Sequence, residues 1–370
     1  MEKELFDLAR TIEPLNEGAM KQALARQETL AKPPGSLGKL EELSVQFAGI
    51  TGKLYNSVKR KCVIILAADN GVCSEGIASA PQSVTLAQTI NFTRRLTGVG
   101  ALAETFNTDL MVVDVGINSL VPKGLVSTEV GDIRENKIID RKIAMGTKNL
   151  AKEPAMTREE AVTALMTGIE LATAAKKMGY DIIGVGEMGI GNTTTSASVL
   201  SALTGCDAEA VVGRGGGITD SSFQRKKEIV EAAAKQEFTD TIDILAKVGG
   251  FDIAGMAGVF VGAAINKLPV VIDGYISIVA ALVAEKIAPR AKAYMIASHE
   301  SFEIGYGRAI EALGLTPMLK LGMRLGEGSG CPLAFQIIEG ALGVMSNMAT
   351  FEEAEINDDY LEEIRKGNCF

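Results

Sequence analysis

The sequence predicts an α/β fold in which a parallel sheet is flanked by helices. Several short, almost continuously apolar runs follow Lys61, and such runs are typical of parallel strands that are covered on both faces. These runs cover residues 62–68, 110–115, 181–185, 269–273 and 293–297. Helical segments separate them, and the clearest begins with a capping box at residues 157–160 and continues to Lys177. This alternation predicts a Rossmann-like domain.

The two ends of the chain differ from this alternating region. Residues 15–26 and 40–47 have apolar positions at helical spacing, and residues 351–365 read as an acidic helix. We therefore expect a small helical domain from residues 1–55 and 350–370, and a Rossmann-like α/β catalytic domain from residues 56–349. Between the first two helices, KPPGSLG at 32–38 predicts a rigid turn, either a simple connection or a functional loop.

Composition excludes several classes of protein. The net charge of −9 argues against a nucleic-acid surface, which needs clustered Lys and Arg. Five cysteines without CxxC spacing and one histidine predict no metal site and a reducing cytoplasm. The acidic N-terminus lacks the features of a signal peptide. The most apolar window, 268–284, contains Pro269 and Asp273 and is too short for a membrane span, so we expect no membrane partner.

One carboxylate stands out because glycines flank it. Glu327 lies in GEGSG at 326–330, and glycine lets the backbone pack closely around an acid. Pro332 begins an apolar helical pattern, so the loop should open into a helix. A glycine loop before a helix is a common ligand site in α/β enzymes. The alternative is that Glu327 only neutralises the helix dipole in a tight turn.

A second glycine-rich loop follows the third predicted strand. Residues 184–189 spell GxGxxG, with Asp207 and Glu209 about 20 residues later, as in dinucleotide sites. Residues 186–193 also spell a phosphate loop in which Asn192 replaces the lysine. We prefer a monophosphate at the start of the following helix, and the alternative is a close-packing turn. Glu187 in this loop is expected to face the same crevice as Glu327.

Further polar residues occur where ligands bind to parallel sheets, at the carboxyl ends of strands. They include the stretches at 68–72, 273–275 and 298–301, and His299 in the last of these is a candidate supporting residue. Arg214 in VGRGGG at 212–217 and the cations at 225–227 could neutralise a phosphate, although most charged runs are solvated helix faces.

Seven motifs together resemble one enzyme family along nearly the whole chain. They are KPPGSLGKLE (32–41), ADNGV (68–72), VDVGI (113–117), GVGEMGIGNTT (184–194), KVGGFDIAGM (247–256), DGY (273–275) and MRLGEGSG (323–330). In this order they resemble the nicotinate-nucleotide:dimethylbenzimidazole phosphoribosyltransferases. That family moves phosphoribose from nicotinate mononucleotide to the lower-ligand base of cobalamin.

The resemblance implies roles for individual residues. Glu327 matches the family's general base, and Glu187 matches its second active-site acid. The positions that resemble substrate contacts are Ala80, Gln88 and Met188 for the incoming base, Gly189, Gly191, Asn192, Thr193 and Lys226 for the phosphate, and Ser301, Leu325 and Gly326 for further contacts. No metal and no cofactor are implied.

The resemblance also implies a homodimer, with the natural acceptor left open. The family often has His at the position of Asn70, a bulkier or polar residue at Ala80, and Leu or Met at 188. Benzimidazoles, purines and phenols therefore all remain candidates. One relative activates phenols as two paralogous subunits, so a heterodimer with an active or silent chain stays open. A nicotinamide-dinucleotide oxidoreductase is a further alternative, but it leaves Glu327 unexplained.

Overall fold

The structure is a computed structural model and describes residues 1–361. Within them, seven strands form one sheet. The strands are β1 (Lys61–Ala68), β2 (Asp109–Gly116), β3 (Val126–Ser127), β4 (Ile138–Asp140), β5 (Ile182–Met188), β6 (Val270–Ile272) and β7 (Met295–Ala297). Their order is β3-β4-β2-β1-β5-β6-β7, and all the pairings are parallel. The predicted Rossmann-like α/β fold is thereby confirmed.

The predicted runs correspond to β1, β2, β5, β6 and β7. The strands β3 and β4 were not predicted because their two and three residues lie among polar and charged residues, whereas the equally short β6 and β7 lie in longer apolar runs. Every residue of β1 is buried, as a central strand covered on both faces requires.

Helices connect the strands. They are α1 (Glu2–Arg10), α2 (Glu17–Thr29), α3 (Lys39–Thr51), α4 (Ser83–Thr93), α5 (Gly98–Thr105), α6 (Arg158–Lys177), α7 (Asn192–Thr204), α8 (Ala208–Val211), α9 (Asp220–Ala234), α10 (Thr241–Val248), α11 (Phe251–Ile265), α12 (Tyr275–Ile287), α13 (Tyr306–Leu313) and α14 (Gly330–Asn347). The capping box predicted for α6 is present, since Thr157 and Glu160 exchange side chain to backbone hydrogen bonds.

The strand order creates a crevice beside β1. The chain passes from β1 to β2 on one side and reaches β5 on the other, so the direction of winding reverses between β1 and β5. The residues after the two strands diverge at such a switch point, where α/β proteins bind ligands. Ala67 of β1 pairs with Met188 of β5, so both strands end at this edge of the sheet.

The described residues form two compact units, each held together by contacts among its own residues. The larger unit contains residues 1–13 and 60–334 and includes the whole sheet. The smaller one contains residues 14–59 and the described residues from 335 onward. This division assigns α1 to the unit that contains the sheet, because α1 packs on α6 and α11. The domain boundaries predicted at residues 55 and 350 remain a prediction.

Within the smaller unit, α2, α3 and the second part of α14 share an apolar core. Its members are Ala19, Ala23, Val45, Ala48 and Met345. The turn predicted at 32–38 is closed by an ion pair between Lys32 and Glu41, whose nitrogen and oxygen lie 2.7 Å apart. Glu41 also accepts a hydrogen bond from the backbone N–H of Leu37. These contacts favour the interpretation of this segment as a structural connection.

The acidic helix predicted at 351–365 is not formed by its described residues. Residues 351–355 form turns, and Asp359–Leu361 form a short 3₁₀ helix. A positive φ of 56° at Glu355 interrupts the helical backbone there. Residues 362–365 of that prediction lie outside the described residues. Among helices within residues 1–361, none is long and apolar enough to cross a membrane.

Candidate active site

A cleft of about 330 Å³ opens in the larger unit, beside the end of β5. All the candidate residues named from the sequence line it. They are Ala80, Gln88, Glu187, Met188, Gly189, Gly191, Asn192, Thr193, Lys226, Ser301, Leu325, Gly326 and Glu327. These residues come from distant parts of the sequence, and the fold brings them together around one cleft. Their individual roles remain predictions.

The backbone around Glu327 has an unusual conformation. Gly326, Glu327 and Gly328 have φ values of 79°, 64° and 86°, so three consecutive residues lie in the left-handed region. Glycine adopts this region readily, whereas a residue with a Cβ atom does so at a cost of about 1–3 kcal/mol. Such strain persists where surrounding contacts fix the backbone, and it is often found at functional sites.

Both carboxylate oxygens of Glu327 accept hydrogen bonds from uncharged donors. The Nε2 atom of Gln88 lies 3.0 Å from Oε1, and the backbone nitrogen of Val99 lies 3.2 Å from Oε2. Val99 is in the first turn of α5, which Thr97 caps through its side chain. Asn91 donates to Gln88 Oε1 over 3.2 Å and so fixes the orientation of the Gln88 amide. The carboxylate is therefore buried, oriented and stabilised by a helix N-terminus.

Glu187 is the second buried acid of the cleft. Burial, followed by the charge of Asp252, raises the pKa of Glu187 to about 8. Its Oε2 atom accepts a hydrogen bond from the side-chain amide of Asn192, and its Oε1 atom lies 3.3 Å from the backbone nitrogen of Glu327. Burial thus favours the protonated form of Glu187, while its two hydrogen bonds link the loop of Glu327 to the glycine loop after β5.

Two more acids are buried close to this pair. Burial raises the pKa of Asp252, in the first turn of α11, to about 6. Burial also raises the pKa of Asp273, directly after β6, to about 7, and the charge of Glu327 acts in the same direction. Neither residue was named as a site residue from the sequence. DGY at 273–275 and KVGGFDIAGM at 247–256 were the available signals, because both contain an acid in a loop beside a predicted strand or helix.

The glycine loop after β5 ends at an open helix N-terminus. Gly191 occupies the N-cap position of α7 with a φ of 95°, and Asn192 and Thr193 begin the helix. The Nζ atom of Lys226 lies 2.7 Å from Thr193 Oγ1. Burial lowers the pKa of Lys226 to about 8, while Glu303 opposes that shift. An ammonium group and a helix N-terminus meet here, an arrangement that suits an anion.

The neighbours of Lys226 have different partners. Arg225 pairs with Glu75 over 2.5 Å, and Lys227 pairs with Glu209 over 2.6 Å. Of the three cations at 225–227, the structure therefore brings Lys226 to the glycine loop. Helical spacing accounts for this, because only one face of α9 packs against α7.

The GxGxxG pattern at 184–189 does not form a dinucleotide-binding turn. Gly184 and Gly186 lie inside β5, whereas that fingerprint places its glycines in the turn after the strand. Gly186 instead allows a close approach, since a Cβ atom there would lie 2.5 Å from the backbone oxygen of Glu327. Glu209, one of the two acids that a dinucleotide site would place at the ribose, instead forms an ion pair with Lys227.

Several side chains that line the cleft are apolar. Its walls include Ile77, Ala78, Ala80, Val84 and Met188. Leu325, two residues before Glu327, also lines the cleft and is 58% exposed. A flat aromatic ring suits such walls, and Glu327 could receive a proton from it.

Arg214, considered from the sequence as a cation near the phosphate, also lines the cleft, and so do Glu303, Arg324 and Tyr275, which were not predicted as site residues. Arg324 belongs to the MRLGEGSG motif, but an arginine before a glycine loop gives no distinct signal. His299 contacts Ser298 Oγ through Nδ1 at 3.0 Å and lies 3.9 Å from Asp273. Burial lowers the pKa of His299 to about 4, which favours its neutral form. No group of acids, His and Cys in residues 1–361 could hold a metal ion.

Comparison with known proteins agrees with this geometry. A family model described as phosphoribosyltransferase matches residues 12–356. This match defines the class of enzyme, the phosphoribosyltransferases, which are pentosyltransferases.

Similar proteins of known name identify a particular group within the phosphoribosyltransferases. A nicotinate-nucleotide–dimethylbenzimidazole phosphoribosyltransferase from Clostridium perfringens is 54% identical over 99% of both chains. The enzyme of the same name from Clostridium tetani is 49% identical over 98% of both chains. The crystal structure of CobT from Thermus thermophilus superposes with a TM-score of 0.85 at 37% identity, covering 92% of this chain and 99% of that one.

The chain belongs to the nicotinate-nucleotide–dimethylbenzimidazole phosphoribosyltransferase family. The family and the enzyme class predicted from the sequence are thereby confirmed, together with the family's function in activating the lower ligand of cobalamin.

The close approach of Gly186 to the Glu327 loop is testable. Gly186→Ala should displace the loop, because the new methyl group meets backbone atoms that cannot rotate away. We expect a loss of about 1–3 kcal/mol in the free energy of unfolding, by overpacking. We also expect kcat to fall by roughly 100-fold, by misplacing the carboxylate. Urea unfolding and steady-state kinetics measure both.

Gly340→Ala is the matched control. Gly340 lies within α14, and its Cβ would meet no atom within 4 Å. This substitution should stabilise the protein by about 0.5–1 kcal/mol and leave kcat unchanged. A Gly186→Ala enzyme with the kcat of the wild type would contradict the importance of this contact.

The proton on Glu187 should make stability depend on pH. The pKa of Glu187 rises from 4.5 in the unfolded chain to about 8 in the folded protein, so the folded protein binds the extra proton between those values. Its contribution is complete below pH 4.5 and is lost as pH rises through 8. The slope is at most about 1.4 kcal/mol per pH unit for one proton.

Urea unfolding of the wild type and Glu187→Gln between about pH 5 and 8 measures this dependence. We expect the free energy of unfolding to fall with pH in both proteins, since Asp252 and Asp273 act in the same direction. The fall should be shallower in Glu187→Gln. Parallel curves would show that Glu187 carries no extra proton.

Proposed function

We propose that this protein transfers 5-phosphoribose from nicotinate mononucleotide to a lower-ligand base, 5,6-dimethylbenzimidazole or a related base or phenol. The products are the α-riboside phosphate, nicotinate and a proton. The observation that carries this proposal is the position of Glu327. It hydrogen-bonds to Gln88 beside the apolar walls, and its backbone contacts Glu187 beside the glycine loop. A base lying between an aromatic pocket and an anion site fits this reaction.

The phosphate of the donor would bind at the start of α7. Lys226 and the backbone from Gly189 to Thr193 offer an ammonium group and N–H groups there. A phosphate would favour the charged form of Lys226, whose pKa burial lowers. With the phosphate fixed there, the ribose would extend toward Glu187 and Glu327.

The chemical step needs little from the protein beyond position and one base. The leaving nicotinate is a pyridinium, so its nitrogen takes the electron pair of the broken C1′–N bond and departs without an acid. The acceptor attacks C1′ from the opposite face, which inverts the β configuration to α. Glu327 accepts the proton that the acceptor loses. Holding two reactants together provides the larger share of the rate enhancement.

We further propose that the protein acts in the cytoplasm as a homodimer, without a cofactor. The net charge of −9 and the cysteine pattern support a cytoplasmic protein that does not bind nucleic acid. A heterodimer with a paralogue is the second arrangement, and the presence of both Glu187 and Glu327 favours this chain as an active subunit. Activity of the purified chain alone distinguishes the two.

Replacement of Glu327 tests the base directly. Glu327→Gln keeps the shape of the side chain but cannot accept the proton. We expect kcat to fall by about 10²–10⁴-fold, with KM for nicotinate mononucleotide little changed. Release of nicotinate is measured with 5,6-dimethylbenzimidazole and with p-cresol as acceptors, and circular dichroism verifies folding.

Activity of the wild type with either acceptor identifies the class of base that it uses. An unchanged kcat in Glu327→Gln would exclude Glu327 as the base. Absence of nicotinate release by the wild-type chain with both acceptors would contradict an enzyme that acts alone and would favour the heterodimer. Turnover of a dinucleotide with hydride transfer would support the oxidoreductase instead.

Lys226 offers a test of the phosphate site. Lys226→Met should raise KM for nicotinate mononucleotide by roughly 10–100-fold, because a charge-assisted hydrogen bond contributes about 1.5–3 kcal/mol. Lys227→Met is the control, since Lys227 is paired with Glu209. It should leave KM unchanged. Equal effects of the two substitutions would indicate a general influence of charge rather than a phosphate contact.

A further inference from the structure

Asp273 binds the backbone of the Glu327 loop through both of its oxygens. Its Oδ2 atom lies 2.9 Å from the backbone nitrogen of Gly328, and its Oδ1 atom lies 2.6 Å from that of Gly330. Gly330 is the first residue of α14. The carboxylate of Asp273 therefore ties the end of β6 to the start of α14, immediately after Glu327.

The position of Asp273 is itself fixed from several sides. The side chain is 2% exposed. Its backbone N–H donates to Ser277 Oγ over 3.1 Å, and its carbonyl oxygen accepts from Ser298 Oγ over 3.1 Å. Since Ser277 belongs to α12 and Ser298 follows β7, Asp273 is held by the sheet and by a helix packed on it. A rigid support of this kind can fix a neighbouring loop.

The Glu327 loop needs such support. Three consecutive residues there have positive φ, and Glu327 among them carries a Cβ atom, so contacts from other segments must fix this conformation. The N–H groups of Glu327, Gly328 and Gly330 point instead to Glu187 and Asp273. Of these acceptors, Asp273 makes the two shorter bonds.

We propose that Asp273 is a positioning residue for catalysis, which holds the Glu327 carboxylate at the reacting centre by binding the backbone N–H groups of Gly328 and Gly330. This inference rests on the proposed role of Glu327 as the base. Asp273 touches neither substrate nor the Glu327 side chain in this arrangement, and it acts through the loop alone. Its removal affects the chemical step and leaves substrate binding intact.

A double-mutant cycle tests this relation. Asp273→Asn keeps the size of the side chain but turns one acceptor into a donor, so one backbone N–H loses its partner. We expect kcat to fall by about 10- to 100-fold while KM for nicotinate mononucleotide stays within about threefold. In the Glu327→Gln background, Asp273→Asn should lower the residual kcat by less than about twofold, because no base remains to be positioned.

Asp114 provides a matched control. It is also 2% exposed, and its Oδ1 atom accepts hydrogen bonds from the backbone N–H groups of Gly116 and Ile117 at the end of its own strand. That strand, β2, is separated from β5 by β1. Asp114→Asn should therefore lower the stability of the protein and leave kcat unchanged. This control separates damage to a buried carboxylate from loss of loop position.

The outcomes distinguish the inference from the function on which it rests. Equal losses of kcat from Asp273→Asn in both backgrounds, or a change confined to KM, would overturn the positioning role and leave Glu327 as the base. A wild-type kcat in Asp273→Asn would do the same. A wild-type kcat in Glu327→Gln would overturn the base and, with it, the inference. If Asp273→Asn fails to fold, Asp273→Glu, which keeps the charge but displaces it, carries the same expectations.

Discussion

A carboxylate held in left-handed backbone between two glycines is the constraint on which this site depends. Glu327 reaches the cleft because Gly326 and Gly328 let the chain turn sharply on both sides of it. Because Gly186 of β5 has no Cβ atom, the backbone of Glu327 can pack directly against that strand. The side chain is fixed by Gln88 and the N-terminus of α5. The backbone and the side chain of Glu327 are thus held by different elements, and together these contacts fix the position of its carboxylate.

Several buried acids lie in this part of the structure, and their negative charges would repel one another. Glu187, Asp252 and Asp273 are all buried near Glu327, and the repulsion among four ionised carboxylates so close together would be strong. The raised pKa values of the three mean that protons are shared among them near neutral pH. The two oxygens of Glu327 accept hydrogen bonds from uncharged donors, a side-chain amide and a backbone N–H. Lys226 lies at the glycine loop, where the proposed function places the anionic phosphate of the donor.

The sequence predicted the fold and the members of the cleft better than it predicted their support. Long apolar runs identified β1 and β5, and the glycine loops drew attention to Glu187 and Glu327 because isolated acids among glycines are unusual. Asp273 was visible as a polar residue after a strand, but its bonds to Gly328 and Gly330 join segments 55 and 57 positions apart. No periodicity encodes such a contact. The GxGxxG pattern, whose dinucleotide interpretation was only an alternative to a monophosphate loop, forms no dinucleotide-binding turn because the strand continues through its first two glycines.

Acceptor choice and catalysis are coupled by the same loop. Leu325 lines the cleft two residues before Glu327, so an acceptor that displaces Leu325 also moves the backbone that carries the base. Ala80 also lines the cleft, and its small side chain fills less of that space than a larger residue would. Since proton removal requires only an N–H or O–H group within reach of Glu327, the chemistry itself discriminates little among acceptors. Selectivity must therefore arise from the shape of these walls, and it should appear mainly in kcat, because a poorly fitting ring misplaces the base.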